Sequence, residues 1–148
     1  MGKLVEATFF PQCSEAIEQK PRILIIDDNP GFTRAAKLLL EKTRSYFVCE
    51  ENDATKAHQT AQSFKPDLIL LDIAMPQTDG GEVAARIQSD PALRRIPVVF
   101  LTALVTKAET KSGLEIEGHP FLAKPISFEE LMERIEENLP WHARSVHR

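Results

Sequence analysis

An α/β domain built on a five-stranded parallel sheet is the fold class this sequence predicts, on three observations. Five short apolar runs alternate with stretches of helical periodicity, a pattern that calls for parallel pairing and right-handed crossovers. The runs at 22–26 and 68–71 stop abruptly at carboxylates, as strands do when they deliver chemistry to the carboxyl edge of an open sheet. The chain has 148 residues, enough for one domain with a real core and too few for a second of ordinary size.

Taken in order, residues 1–21 mix apolar, acidic and proline residues and read as an N-terminal extension. Residues 22–26, RILII, are a β-branched apolar run ending in Asp27 and Asp28. Asn29 is placed to cap a helix and Pro30 suits its first position, while Phe32, Ala35, Ala36, Leu39 and Leu40 give it an apolar face. A short strand at 46–49 follows, and Asp53 caps a polar helix reaching Phe64, closed by Lys65 and Pro66. Residues 68–71, LILL, suit a strand buried on both faces, and Asp72 ends it. Pro76, Asp79, Gly80 and Gly81 make a turn, after which Val83, Ala84 and Ile87 place a helix over 82–89. The strand at 97–101 ends at Thr102.

Residues 107–118 lack apolar spacing and contain Gly113, so any helix there is short or loosely packed and the segment is expected to be mobile. A brief strand at 121–123 leads to Lys124 and Pro125, and Ser127 with Glu130 fits a capping box opening a last helix over 128–139. Residues 140–148 remain as a tail, where Trp141 is expected to cover the helix end, or if exposed to anchor a partner.

Composition narrows the function. A net charge of −4 with no basic block leaves no electrostatic footprint for nucleic acid, and no apolar run approaches a membrane span. The first residues contain no apolar core of a secretory signal, so a cytoplasmic, soluble protein is expected, with no membrane and no nucleic-acid partner. Cys13 and Cys49 show no metal-ligand spacing and suit a reducing compartment. His58, His119, His142 and His147 likewise show no ligand spacing and read as surface residues.

In a parallel sheet every strand end lies on one edge, which brings together Asp27, Asp28, Asp72, Thr102 and Lys124. Taken alone, Asp72 reads more readily as the cap of the turn that follows it, Thr102 as an ordinary strand-end residue and Lys124 as a solvated charge before a turn. Together they form a set with its own chemistry. Carboxylates so close repel and need a cation, and all-oxygen ligands point to a hard ion such as Mg²⁺. With that charge neutralised, a central carboxylate can attack a phosphoryl group in line and form an acyl phosphate, and Asp72 is the natural nucleophile.

Over about residues 21–139 the chain resembles the receiver domain of two-component response regulators, in the stand-alone form known from chemotaxis. Four motifs carry the resemblance in order: IIDDNP, LLDIAMPQTDG, FLTA and FLAKP. It implies a flavodoxin-like sheet of order 2-1-3-4-5. It also implies Mg²⁺ held by Asp28, Asp72 and the backbone carbonyl of Ala74, with Asp27 assisting through water. Asp72 would take a phosphoryl group from a histidine kinase or histidine phosphotransfer protein. The family's switch pair falls on Thr102 and Phe121, whose ring packs inward when Thr102 turns to the phosphoryl group. The face that changes is the family's fourth helix, fifth strand and fifth helix. Residues 22–139 would be the receiver domain, with only nine residues after Leu139, so the output is expected to be an unidentified protein partner or onward phosphotransfer.

Some features depart from the family. Phe121 lacks the hydroxyl many members carry, the fourth-helix segment is unusually polar, and His119 and Pro120 replace small residues before the switch aromatic. An aspartyl-phosphate phosphatase on a related fold resembles D-x-D-x-T on its first strand, where this chain reads DDNP. An interaction domain without phosphorylation would have lost an acidic or Lys position, and none is lost here. Finally, the positions two after the acceptor Asp and two after the switch Thr govern decay of the acyl phosphate in the family. Here they are Ala74 and Leu104, neither able to orient water, so a long-lived phosphorylated form is expected.

Overall fold

The computed structural model describes residues 20–76, 78–103 and 119–140. Its sheet contains β1 (Arg22–Ile26), β2 (Phe47–Glu51), β3 (Leu68–Asp72), β4 (Val98–Thr102) and β5 (Phe121–Ala123). Every pairing is parallel and the order is β2-β1-β3-β4-β5. This is the flavodoxin-like doubly wound order, and its direction of winding reverses at β1 and β3. At that switch point the crossovers depart to opposite sides and leave a crevice beyond the strand ends.

Alternation of side chains along each strand builds two cores. Ile23, Ile25, Leu68, Leu70, Val99, Leu101 and Leu122 point to one face. That face is covered by Ala36 and Leu40 of α1 (Pro30–Lys42) and by Leu131 and Ile135 of the last described helix (Phe128–Asn138). Leu24, Ile26, Ile69, Leu71, Val98, Phe100 and Phe121 point to the other. Ala57 and Ala61 of α2 (Ala57–Phe64), with Val83, Ala84 and Ile87 of α3 (Gly80–Ser89), cover that side. The four apolar residues of β3 have no exposed surface, and each contributes about 1.5–3 kcal/mol of hydrophobic stabilisation, which holds the strand carrying Asp72 in place.

Several boundaries differ from the sequence expectation. β2 begins at Phe47 rather than Tyr46 and runs on through the polar pair Glu50 and Glu51, because hydrogen bonding to β1 overrides side-chain type at an edge. Pro97 precedes β4, which includes Thr102. Asp53 does cap as expected, but it caps one 3-10 turn (Ala54–Lys56) that passes into α2, and α2 ends on Lys65 in a left-handed conformation (φ 56°) just before Pro66. Gly80 and Gly81 are the first residues of α3 rather than part of the turn, with Asp79 as the cap. The last described helix opens on the expected Ser127–Glu130 capping box and ends at Asn138, with Leu139 as its C-cap.

The apolar face of α1 also differs. Thr33, Ala36 and Leu40 are buried, whereas Ala35 is exposed and Leu39 is 46% exposed. The Asn29 cap sets the helix register, and the buried Thr33 hydroxyl meets a partner, Glu50, that local sequence does not reveal. The expectations for residues 107–118, Leu104, Trp141, His142, His147 and Cys13 lie outside the described residues.

Candidate functional site

Two turns carry the acidic residues. β1 passes directly into Asp27, fully buried, and Asp28, exposed. One Asp27 oxygen, Oδ1, accepts the Asn29 N–H at 3.0 Å, and Asn29 in turn caps α1 by accepting from the Phe32 N–H at 3.2 Å. One tight turn therefore starts a helix and orients a carboxylate. The other Asp27 oxygen, Oδ2, takes the Lys124 ammonium at 2.6 Å.

Lys124 arrives from the end of β5, where its N–H donates to the Thr102 carbonyl at 2.7 Å; the Lys124–Pro125 peptide that follows is cis. Its ammonium lies 4.7 Å from the centroid of the Phe32 ring, which gives the cation a second, electrostatic contact.

Asp72 ends β3 and is 5% exposed. Its Oδ1 accepts the Ala74 N–H at 3.2 Å, and its Oδ2 stands 3.9 Å from the Lys124 ammonium. The loop beyond it closes on itself. Ala74 pairs with Asp79 in an isolated antiparallel bridge, and the Gly80 N–H donates to the Ile73 carbonyl at 3.0 Å. A β-carbon on Gly80 would lie 2.5 Å from Ile73 Cα and 2.6 Å from the Asp72 carbonyl oxygen. Only glycine lets the start of α3 approach the backbone of Asp72 so closely.

The electrostatics follow from this packing. Carboxylate oxygens of Asp27, Asp28 and Asp72 lie within 4.8 Å of one another. Burial, and after it the Asp27 carboxylate, push the Asp72 carboxyl up to about 6, against the lowering effects of the Ala74 N–H and Lys124; Asp28 adds a further upward push. The cluster holds more negative charge than Lys124 offsets, and a cation would relieve it. Hard oxygen donors fit Mg²⁺, and the exposed Asp28 leaves room for the waters that ion retains.

Of the other sequence-derived residues, Thr102 is fully buried at the end of β4, one residue beyond Leu101, the register partner of Asp72. Phe121 opens β5 opposite Phe100 and is 3% exposed, already packed in the core on the α2 and α3 side. His58 and His119 are not simple surface residues. Both are half-buried: His58 Nε2 meets Asp90 Oδ2 at 2.9 Å, and His119 stands edge-on to Phe100 with ring centroids 5.2 Å apart. Cys49 is half-buried and burial pushes its thiol pKa up, which agrees with an inert cysteine. Among the described residues, no helix is long and apolar enough to cross a membrane.

Sequence reasoning missed three contributors: Phe32 as a support for Lys124, Gly80 as a close-approach residue, and Asn52, whose amide donates to the Asp27 carbonyl at 2.7 Å. The Gly80–Gly81 pair after a capping Asp was a usable signal for the second. Asn52 left none, because it reaches Asp27 from the loop after a different strand.

Residues 23–136 match the family model of the response regulator receiver domain. The chain is 40% identical over 116 residues to the response regulator PleD of Caulobacter vibrioides, covering 77% of this chain and 25% of that protein. It is 36% identical over 115 residues to the DNA-binding dual master transcriptional regulator RpaA of Synechocystis sp., covering 78% and 47%. The chain thus spans about half the length, or less, of the curated relatives it matches. Among solved structures, the N-terminal domain of a response regulator receiver protein from Methanoculleus marisnigri is 34% identical with a TM-score of 0.58, covering 78% of this chain and 94% of that one. The Vibrio cholerae chemotaxis protein CheY4, 22% identical, has the same fold with a TM-score of 0.70, covering 81% and 99%.

Proposed function

The chain belongs to the response regulator receiver domain family, and from that premise we propose that Asp72 accepts a phosphoryl group from a phosphohistidine partner in a Mg²⁺-dependent reaction. Receiver domains are phosphorylatable signalling modules of two-component systems rather than enzymes with turnover, and they bind Mg²⁺ at an acidic pocket. The observation that carries the finer reading is the carboxylate cluster of Asp27, Asp28 and Asp72, within 4.8 Å of one another, with Lys124 beside two of its members.

In this reading Asp28, Asp72 and the Ala74 backbone carbonyl would hold the ion, with Asp27 assisting through water. When bound, Mg²⁺ supplies charge neutralisation for the phosphoryl oxygens. The chain's own groups do the rest. An Asp72 carboxylate oxygen attacks phosphorus and forms the O–P bond as the P–N bond to the partner imidazole breaks, the imidazole keeping the electron pair. Burial strips water from Asp72 and raises the energy of its free anion, which favours bond formation. Lys124 stands 3.9 Å from that carboxylate, near enough to pair with a phosphoryl oxygen after a small shift away from Asp27.

Thr102 and Phe121 form the switch pair, and the signalling unit is residues 22–139. A histidine kinase or histidine phosphotransfer protein supplies the phosphoryl group. The output passes to a protein partner, or by onward phosphotransfer, through the family's fourth-helix, fifth-strand and fifth-helix face.

Incubation with radiolabelled acetyl phosphate and Mg²⁺ tests the assignment. The parent protein should retain label without releasing phosphate rapidly, and Asp72→Asn should retain none. Label kept on the variant would move the acceptor to another residue.

A further inference from the structure

The buried hydroxyl of Thr33 and the amide of Asn52 have no part in the phosphoryl-transfer reading, yet they connect directly to it. Thr33 is fully buried on α1. Its Oγ1 lies 2.9 Å from Glu50 Oε1 and 2.9 Å from Asn52 Nδ2, and Asn52 Nδ2 lies 2.7 Å from the Asp27 carbonyl oxygen. Glu50 is held from its other oxygen by the Arg34 guanidinium at 3.1 Å. The Thr33 hydroxyl has two acceptors in reach, the Pro30 carbonyl at 3.3 Å and, nearer, the Glu50 carboxylate at 2.9 Å. Burial pushes the Glu50 carboxyl up, but its Thr33 and Arg34 partners with the Lys37 charge together hold it below the usual range, so the carboxylate only accepts and the Thr33 hydroxyl donates to it. Thr33 then receives one Asn52 N–H on a lone pair, and the Asp27 carbonyl, also an acceptor, takes the amide as well.

The chain ends on a particular peptide group. The Asp27 carbonyl belongs to the unit that joins Asp27 to Asp28, so its orientation sets where both acidic side chains leave the backbone. The N–H side of Asp27 is fixed too, by donation to the Glu51 carbonyl at 3.1 Å. Edge strand β2 and the loop after it thus grip both ends of the residue from which the cation site begins.

We propose that Asn52 and Thr33 are positioning residues for the divalent cation, acting through the Asp27–Asp28 peptide rather than by touching the ion. This inference rests on the reading of the acidic cluster as a Mg²⁺ site. Removing an outer hydrogen bond of this kind weakens metal binding by about 10–100-fold in established metal sites. Thr33→Val keeps the shape but leaves Asn52 and Glu50 without their shared partner, whereas Thr33→Ser keeps the hydroxyl.

The experiment is calorimetric titration of Mg²⁺ into the full, unphosphorylated chain. Asn52→Ala should weaken binding about tenfold and Thr33→Val several-fold, while Thr33→Ser stays near the parent. In an Asp28→Ala background, Asn52→Ala should have a much smaller further effect, since of the two side chains that the peptide orients only Asp27, which acts through water, is left. Parent affinity in Asn52→Ala, or full additivity with Asp28→Ala, overturns the proposal. Should Thr33→Val fail to fold, Asn52→Ala and Thr33→Ser still decide it. If Asp28→Ala itself binds Mg²⁺ as the parent does, the underlying metal-site reading fails instead, which is a different result from failure of the relay alone.

Discussion

Asp27 and Asp72 end neighbouring strands, both buried, at the same edge of the sheet, yet they are held in opposite ways. Asp27 is saturated: Lys124 at 2.6 Å on one oxygen, the Asn29 N–H at 3.0 Å on the other, and Asn52 fixing its carbonyl. Asp72 has one backbone N–H at 3.2 Å and the same ammonium at 3.9 Å, and its carboxyl is pushed up to about 6. A carboxylate given every partner it needs is a fixed charge, suited to holding others in place. One left short of partners in a buried site is poised to gain a new bond. The two turns differ to match. The Asp27 turn is short and begins a helix at once, while the Asp72 loop runs to Asp79 and is closed by the contact of Gly80 on its own backbone.

The contrast can be broken most decisively at the cation. Asp28→Ala, which removes a direct ligand, should weaken Mg²⁺ binding by more than the roughly 10–100-fold that loss of an outer hydrogen bond costs, whereas Lys124→Ala should leave affinity equal or higher, since it removes a competing cation, and should blunt phosphorylation instead. Calorimetric titration beside acetyl phosphate labelling separates these effects, and equal metal loss in both variants would contradict the division of roles.

A second test reads the poise of Asp72 through stability. An acid whose folded pKa lies above its unfolded value is neutral in both states at low pH. As pH rises from the ordinary value of 3.8 to about 6, the folded state holds more protons than the unfolded one, so its stability falls. The metal-free parent should therefore lose up to about 3 kcal/mol relative to Asp72→Asn across this window. Urea unfolding of both proteins in chelator at pH 4, 5, 6 and 7 measures the difference. A gap that stays constant with pH would show that Asp72 is no worse solvated than an ordinary carboxylate.

The loop closure is sharpened by Gly80→Ala. A β-carbon 2.5 Å from Ile73 Cα must displace backbone, at about 1–3 kcal/mol, and the displaced segment bears Asp72, so labelling should slow as well. Thermal unfolding with no change from the parent would mean that α3 yields freely at this point.

The smallest expected effect concerns signal lifetime. Ala74→Asn combined with Leu104→Glu adds groups able to orient water, and label should decay faster after the donor is removed, about tenfold for each ~1.4 kcal/mol of barrier lost. Unchanged decay would exclude these two side chains as controls on hydrolysis.

Much of this was legible beforehand for identifiable reasons. The strands were readable because a parallel sheet buried on both faces needs unbroken apolar runs, and LILL before Asp72 admits little else. Their convergence followed from topology, since parallel strands place all carboxyl ends on one edge. The caps at Asn29, Asp53 and Ser127 were readable because capping acts within three residues. Helix faces were less so. Leu39 carries the right hydrophobicity but faces solvent, and Thr33 carries the wrong polarity but is buried, because α1 is turned by where it packs.

By itself, then, the sequence determined the order of strands and helices, the acidic and basic residues of the site, and the edge on which they meet, all of which follow from local periodicity and short-range capping. Tertiary structure alone decided which Asp is saturated and which is left poised, the closeness of Gly80 to the Asp72 backbone, and the contacts of Asn52 and Phe32. The contacts of Asn52 and Lys124 join residues from 19 to 97 positions apart, where distances of a few tenths of an ångström set hydrogen bonds and desolvation, and no pattern along the chain encodes those distances.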